Sequence, residues 1–232
     1  MSSALTLGLD ADDTLWENQA RFDFAQEKLR NLLSRWADGE VVDETLLDIE
    51  RNNVKRYGYG VKSFTLSSIQ AAIELTQGEV NADLTRSIIE NGWWIIEHPV
   101  EILSGVVETL DFLSKSYELL LITKGDPTDQ YKKISSSGLS HYFKGIEVVR
   151  EKDSKTYEEV LQRHKVNVEE FIMVGNSVPS DILPVLTIGG RAIHVPHHST
   201  WKHEHIDESE INDFIFSVAA SFDQLPEILM TY

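Results

Sequence analysis

Two aspartates, Asp10 and Asp12, stand two residues apart directly after the apolar run Leu5 to Leu9, and Asp13 and Thr14 follow them. At the end of an extended segment, residues i and i+2 face the same way, so both carboxylates can address one reacting atom. One carboxylate can attack phosphorus and form an acyl phosphate on its own side chain. The other can protonate the leaving oxygen and later deprotonate the attacking water. Two such carboxylates repel each other, and a hard cation such as Mg²⁺ relieves the repulsion. The plainer reading of Asp-Ala-Asp-Asp-Thr is a turn rich in helix-capping residues.

Other residues with fitting chemistry recur after later apolar runs. Thr123 and Lys124 follow Leu119 to Ile122, and the Thr123 hydroxyl with the backbone N–H groups of Lys124 and Gly125 can hold phosphate oxygens. Lys152 follows Ile146 to Val149 and can offset charge developing on a phosphoryl group, with Lys155 competing for the role. Asn176 and Asp181 follow Phe171 to Val174 and offer hard oxygen ligands. Taken singly, Thr123 is an ordinary β-branched strand residue, Lys152 a solvated lysine and Asn176 part of a loop entering a helix at Pro179. Their common position, each at the end of an apolar run, makes the joint case.

The elements that must position these groups alternate in texture. The apolar runs, with a further one at Ala192 to Val195, are strand-length and apolar at consecutive positions, as in strands buried on both faces of a parallel sheet. Helices separate them. Val106, Leu110 and Leu113 form one stripe after an expected N-cap at Ser104. Asp126-Pro127 opens another helix that Gly138 closes, and Asp153 caps a segment carrying Tyr157, Val160 and Leu161. Phe214 to Ala219 reads as one more strand. Strand and helix alternating in this way predict an α/β fold, a Rossmann-like doubly wound parallel sheet.

Residues 16–97 break the alternation and read as all-helical, so the α/β core spans 1–15 and 98–232. Four amphipathic stripes are visible: Phe22, Ala25, Leu29, Leu32 and Trp36; Leu46, Leu47, Val54 and Tyr57; Ile69, Ala72, Ile73 and Thr76; Leu84, Ile88, Ile89 and Trp93. Arg56 to Lys62 reads as a loop.

Composition narrows the partners. The formal charge of −17 repels nucleic acid and anionic membrane surfaces, so neither is an expected partner, and an anionic substrate needs a metal ion or local lysines to approach. With no cysteine there is neither disulfide nor thiolate chemistry. Nothing from Met1 to Asp10 reads as a signal sequence, and no apolar run approaches the roughly 20 residues that span a bilayer. The cytoplasm is the expected location, for a monomer or homodimer. His194, His197, His198, His203 and His205, with Glu204, invite a zinc reading. No pair of them sits on an evident rigid element, so a surface loop packing Trp201 near the core is the preferred reading.

Asp10-Ala11-Asp12-Asp13-Thr14 after an apolar strand resembles motif I of the haloacid dehalogenase superfamily. Thr123 is similar to its motif II residue, Lys152 to its motif III lysine, and Asn176 to Asp181 to its acidic motif IV. The helical insert resembles the family's C1 cap. The resemblance covers nearly the whole chain, and it implies a Rossmann-like core with an inserted all-helical cap domain. It further implies catalytic roles for Asp10, Asp12, Thr123 and Lys152, and Mg²⁺ held through Asp10, Asp12, Asn176 and Asp181. The implied activity is hydrolysis of a small phosphorylated metabolite. A 2-haloacid dehalogenase, which also uses an Asp nucleophile but needs no Asp12, is the alternative, as is a catalytically weak binding member. Trp16, Glu17 and Asn18, with Tyr57 and Tyr59, are candidates for substrate selection. The family often has Asp where Asn176 stands, Asn where Lys124 stands, and Pro where Asp153 stands.

Overall fold

The structure, a computed structural model, describes residues 5–198 and 214–232. Trp201, His203, Glu204 and His205 lie outside the described residues.

Six strands form one parallel sheet: β1 (Thr6–Leu9), β2 (Glu118–Lys124), β3 (Gly145–Val149), β4 (Phe171–Gly175), β5 (Arg191–His194) and β6 (Ser217–Val218). Their order is β3-β2-β1-β4-β5-β6. Each strand pairs in parallel with its neighbour, and Leu9 stands opposite Leu121 on one side and Val174 on the other. β1 therefore lies at the sheet's centre, where the strand order reverses direction. In open α/β sheets that switch point, at the carboxyl ends of the strands, is where ligands bind.

The consecutive apolar residues in these strands reflect two buried faces. Leu7, Leu9, Leu119, Leu121, Ile172 and Val174 enter one core, closed by helices α5 (Val106–Leu113), α6 (Pro127–Ser137) and α9 (Leu225–Leu229). Leu120, Ile122, Phe171 and Met173 point to the opposite face. There they meet Tyr157, Val160 and Leu161 of α7 (Ser154–His164) and Val185 of α8 (Leu183–Thr187). Gly8 sits on this second face because a side chain has no room. A Cβ there would come within 2.5 Å of the Phe171 ring and 2.9 Å of Met173 Sδ. Gly8→Ala is expected to destabilise the fold by about 1–3 kcal/mol through overpacking. Urea unfolding checks this, as a lower midpoint with an unchanged slope.

The chain divides into two compact units. Residues Met1–Gln19, Val100–Lys124 and Gln130–Tyr232 form the sheet unit, and Ala20–Pro99 with Gly125–Asp129 form the other. The second unit holds helices α1 (Gln19–Leu33, from its second residue), α2 (Gly39–Tyr57), α3 (Val61–Leu75) and α4 (Ala82–Glu97), around a core of its own. Among its residues Gly92 of α4 faces Thr65 of α3, where a Cβ would lie 2.1 Å from Thr65 Oγ1. None of the described helices is long and apolar enough to cross a membrane.

Several local expectations are corrected. Gly105 (φ 77°), not Ser104, precedes α5. The loop expected over Arg56 to Lys62 shrinks to Gly58–Gly60, because α2 continues to Tyr57 and α3 begins at Val61. α1 ends at Leu33, so Trp36 lies beyond it, and Tyr57, Ile73 and Trp93 are exposed instead of lining the helical core. The strand expected over Phe214 to Ala219 is only Ser217–Val218, and Ile215 is exposed. Other signals hold: the Asp126 and Asp153 carboxylates accept from the N–H groups of Asp129 and Thr156, and Gly138 adopts φ 71° after α6.

Candidate functional site

The site is built at the carboxyl ends of β1, β2, β3 and β4, within the sheet unit. Asp10 follows β1, and its N–H donates to Val174 O (2.9 Å), which extends the ladder by one residue and fixes the side chain's origin. Leu15 N–H then donates to Ala11 O (2.8 Å) and Asp13 N–H to Trp16 O (2.8 Å), so the chain folds tightly upon itself. Asp13 adopts φ 61° and accepts from the N–H groups of Asn18 (2.8 Å) and Gln19 (2.9 Å), capping the start of α1. The capping reading of the acidic turn is thus correct for Asp13, and it leaves Asp10 and Asp12 for other work. Burial pushes the Asp13 carboxyl up to about 6, against those two N–H bonds.

A buried lysine links two of the acids. Lys152 Nζ donates to Asp10 Oδ1 and to Asp181 Oδ1 (2.6 Å), and Asp181 Oδ2 accepts from Ser177 N–H (3.0 Å). Lys152 is 3% exposed, whereas the Lys155 side chain is 82% exposed beside Glu159, so geometry brings Lys152 to Asp10 and leaves Lys155 in solvent. Burial opposes the lysine's charge, but Asp10 and Asp181 outweigh it and raise its pKa. Burial pushes the Asp10 carboxyl up to about 7, Lys152 opposes this, and Asp181 and Asp12 add to it.

Asp12 is held differently. Lys133 Nζ donates to both its oxygens (2.7 Å each), Trp16 Nε1 donates to Oδ1 (2.7 Å), and Gln130 Nε2 reaches Oδ2 (3.2 Å). Gln130 Nε2 also lies against the Thr123 hydroxyl oxygen and Lys124 O (3.2 Å). Lys133 and Gln130, both on the inner face of α6, were not anticipated. The signal was present as the spacing Gln130, Lys133, Ile134, which puts two polar residues on the buried stripe of a helix.

Trp16 is fully buried in the sheet unit's core, and its indole N–H is spent on Asp12. Its indole N–H thus orients the Asp12 carboxylate. Asn18 Oδ1 accepts from Lys133 (3.2 Å), and Lys124 Nζ donates to Ser180 Oγ (2.8 Å). Gly125 follows with φ 148°, a backbone state suited to glycine, and falls within the 125–129 segment of the other unit.

The Asn176 amide turns one terminal atom toward Asp10 Oδ2 (3.1 Å), the Asp12 carbonyl oxygen (3.3 Å) and Thr14 Oγ1 (3.3 Å). If that atom is nitrogen, its two protons are shared among the three oxygens. If it is oxygen, three oxygens converge with only the Thr14 hydroxyl proton to share, an arrangement that favours a cation. Octahedral Mg²⁺, with bonds near 2.0–2.1 Å, sets neighbouring ligands about 3 Å apart, so Asp10, the Asp12 carbonyl and Asn176 fit it. Asp181 reaches this group through Lys152. The turn carrying it is anchored by Tyr157 Oη donating to Ser180 O (3.0 Å) and by His194 Nε2 against Asn176 O (2.9 Å).

Known proteins resemble this chain in sequence and in fold. A glyceraldehyde 3-phosphate phosphatase from Methanothermobacter thermautotrophicus is 34% identical over 125 residues, 52% of this chain and 54% of that protein. The match thus spans about half the length of the curated relative. A haloacid dehalogenase-like family hydrolase from Xanthomonas campestris superposes with a TM-score of 0.88 at 37% identity, over 99% of this chain and 92% of the other. The HAD-hydrolase YfnB from Bacillus subtilis, solved bound to magnesium, shares the fold with a TM-score of 0.68 at 18% identity, over 98% of this chain and 99% of the other. A model of haloacid dehalogenase-like hydrolases matches residues 6–185, and the chain belongs to that family of hydrolases.

Proposed function

We propose that the chain is a Mg²⁺-dependent phosphatase that hydrolyses a small phosphorylated metabolite through an aspartyl-phosphate on Asp10. The observation that carries this reading is the pairing of two differently held carboxylates: Asp10 on Lys152 beside Asn176, and Asp12 on Lys133, Gln130 and Trp16. The phosphatase activity named for the M. thermautotrophicus relative supports it.

In this reading Asp10 attacks phosphorus as the leaving oxygen departs. Asp12 gives that oxygen its proton and then takes one from the water that hydrolyses the acyl phosphate. Thr123, with the N–H groups of Lys124 and Gly125, holds phosphoryl oxygens, and Lys152 offsets charge as it develops. Asn18, which accepts from Lys133, contributes a substrate contact. Mg²⁺, held by Asp10, the Asp12 carbonyl and Asn176 with Asp181 behind them, would supply positive charge to an acid-rich site and screen phosphate from Asp10. Residues 16–97 form a cap domain that selects substrate, and residues 1–15 and 98–232 form the catalytic core. The protein works in the cytoplasm as a monomer or homodimer, without nucleic acid or membrane.

A dehalogenase would also use Asp10 but has no task for Asp12, which here is held by three side chains. The assay that separates the two compares phosphate release from small phosphate monoesters with halide release from 2-haloacids, with and without Mg²⁺. Phosphate release that a chelator stops is the expected result; halide release unaffected by chelator would reverse the assignment.

Asn176 sets the metal's affinity. A carboxylate adds attraction that a neutral amide lacks. Asn176→Asp is therefore expected to lower the Mg²⁺ concentration giving half-maximal activity, and Asn176→Ala and Asp181→Asn to raise it. A Mg²⁺ titration of the four proteins checks the order.

A further inference from the structure

We infer that Glu17, His197 and His198 form a second metal site, separate from the acids around Asp10, that binds Zn²⁺ through one carboxylate and two imidazoles. Their ligand atoms all lie within 4.8 Å of one another. His197 Nε2 stands 3.3 Å from Glu17 Oε2, and His198 Nε2 stands 3.9 Å from Glu17 Oε1. A tetrahedral zinc with bonds of about 2.0–2.2 Å separates its ligands by about 3.3–3.5 Å, so the first pair is already at that spacing and the second needs a small closure. The two imidazoles lie 4.1 Å apart, centroid to centroid, so both ring edges can address one ion.

A second observation points the same way. Glu17 Oε1 is inaccessible to solvent yet has no hydrogen-bond partner among the described residues. A buried carboxylate oxygen left without a donor is costly, and a cation at this position would satisfy it. The other ring nitrogen of His197, Nδ1, stands 3.8 Å from Asp13 Oδ1.

The ligands sit on anchored backbone, which the spacing of the histidines alone did not reveal. Glu17 N–H donates to Glu101 O (2.9 Å), and Val195 N–H donates to Gly175 O (2.9 Å) just before His197. The missing partner of the histidines is thus a residue 180 positions away in sequence. Imidazole with carboxylate, in a chain without cysteine, suits Zn²⁺ or Co²⁺ better than a soft thiolate-seeking ion. Three protein ligands leave a fourth position for water, and the bound ion would clasp the segment after β5 to the loop after β1.

The test uses the full chain, stripped with chelator and kept in excess Mg²⁺ to occupy the acid cluster. Co²⁺ serves as a visible probe and Zn²⁺ as its competitor. Expected are one Co²⁺ per chain, the intense visible bands of a four- or five-coordinate ion, and displacement by one equivalent of Zn²⁺. His198, whose side chain is 72% exposed, can be removed without disturbing the fold. His198→Ala and Glu17→Gln should each weaken binding by at least about tenfold, since losing even a supporting partner costs 10- to 100-fold. Asp10→Asn should bind Co²⁺ as the wild type does. No binding beyond octahedral aqueous Co²⁺, equal binding in His198→Ala and Glu17→Gln, or loss of the bands in Asp10→Asn would each overturn the inference. Phosphatase activity enters none of these readouts.

Discussion

Asp10→Asn is expected to reduce turnover by at least about 10⁴-fold, because removing the nucleophile of a covalent enzyme leaves only binding and residual electrostatic stabilisation. The amide is nearly isosteric, so the fold should survive. Stability without Mg²⁺ should hold or rise. Burial pushes the Asp10 carboxyl up to about 7, which means that the folded protein strains to keep this group charged, and a neutral amide removes that strain. Lys152 keeps Asp181 as its partner in the variant. Steady-state kinetics and a thermal melt check both parts. Activity within a few-fold of wild type, in a preparation free of contaminating wild type, would remove Asp10 from the chemistry.

The second large effect is expected at Asp12. Asp12→Asn should slow both formation and hydrolysis of the acyl phosphate by about 10²–10⁴-fold, the usual contribution of a positioned acid/base. The loss in the first step should shrink for esters whose leaving group is a weak base, since such groups depart without a proton. Single-turnover phosphorylation with a good and a poor leaving group reads this directly. Equal losses for both would mean that Asp12 orients its neighbours and transfers no proton. The structure makes this contrast informative, because Lys133, Gln130 and Trp16 all converge on the Asp12 carboxylate and a purely structural role would act through them.

The sheet was legible because a strand buried on both faces must be apolar at consecutive positions, and Leu7 to Leu9, Leu119 to Ile122 and Phe171 to Val174 leave few other readings. The helical unit was less so. Its buried faces include Ser63, Ser67 and Ser68 on α3 and Asn91 and Gly92 on α4, while Ile73 and Trp93 point outward. Small and polar residues enter such a face where helices approach closely or where a local bond satisfies them. Ser68 Oγ donates to Phe64 O (2.8 Å) and Asn91 Nδ2 to Ala25 O (2.7 Å). A stripe read from hydrophobic residues alone cannot register this.

At the site, the residues found from sequence were those at strand ends, because the sheet itself fixes where they emerge. Those missed, Lys133 and Gln130, come from a helix, and whether a helical lysine meets solvent or a carboxylate depends on which strand the helix crosses. The choice between Lys152 and Lys155 was open for the same reason, and burial separates them. The bond from the Trp16 indole N–H to Asp12 was not legible either, because an aromatic beside an acidic motif looks the same in sequence whether it lines a pocket or closes a core.

In the proposed reaction a phosphoryl group is carried covalently on Asp10 in a Mg²⁺-dependent step. Rapid acid quenching of a single turnover with a small phosphate monoester, followed by peptide mass analysis, tests it most directly. Expected is a transient phosphorylated peptide containing Asp10 that forms only with Mg²⁺, disappears as phosphate is released, and persists longer in Asp12→Asn. Phosphate released at the full rate, with no such peptide at any time point, would contradict it.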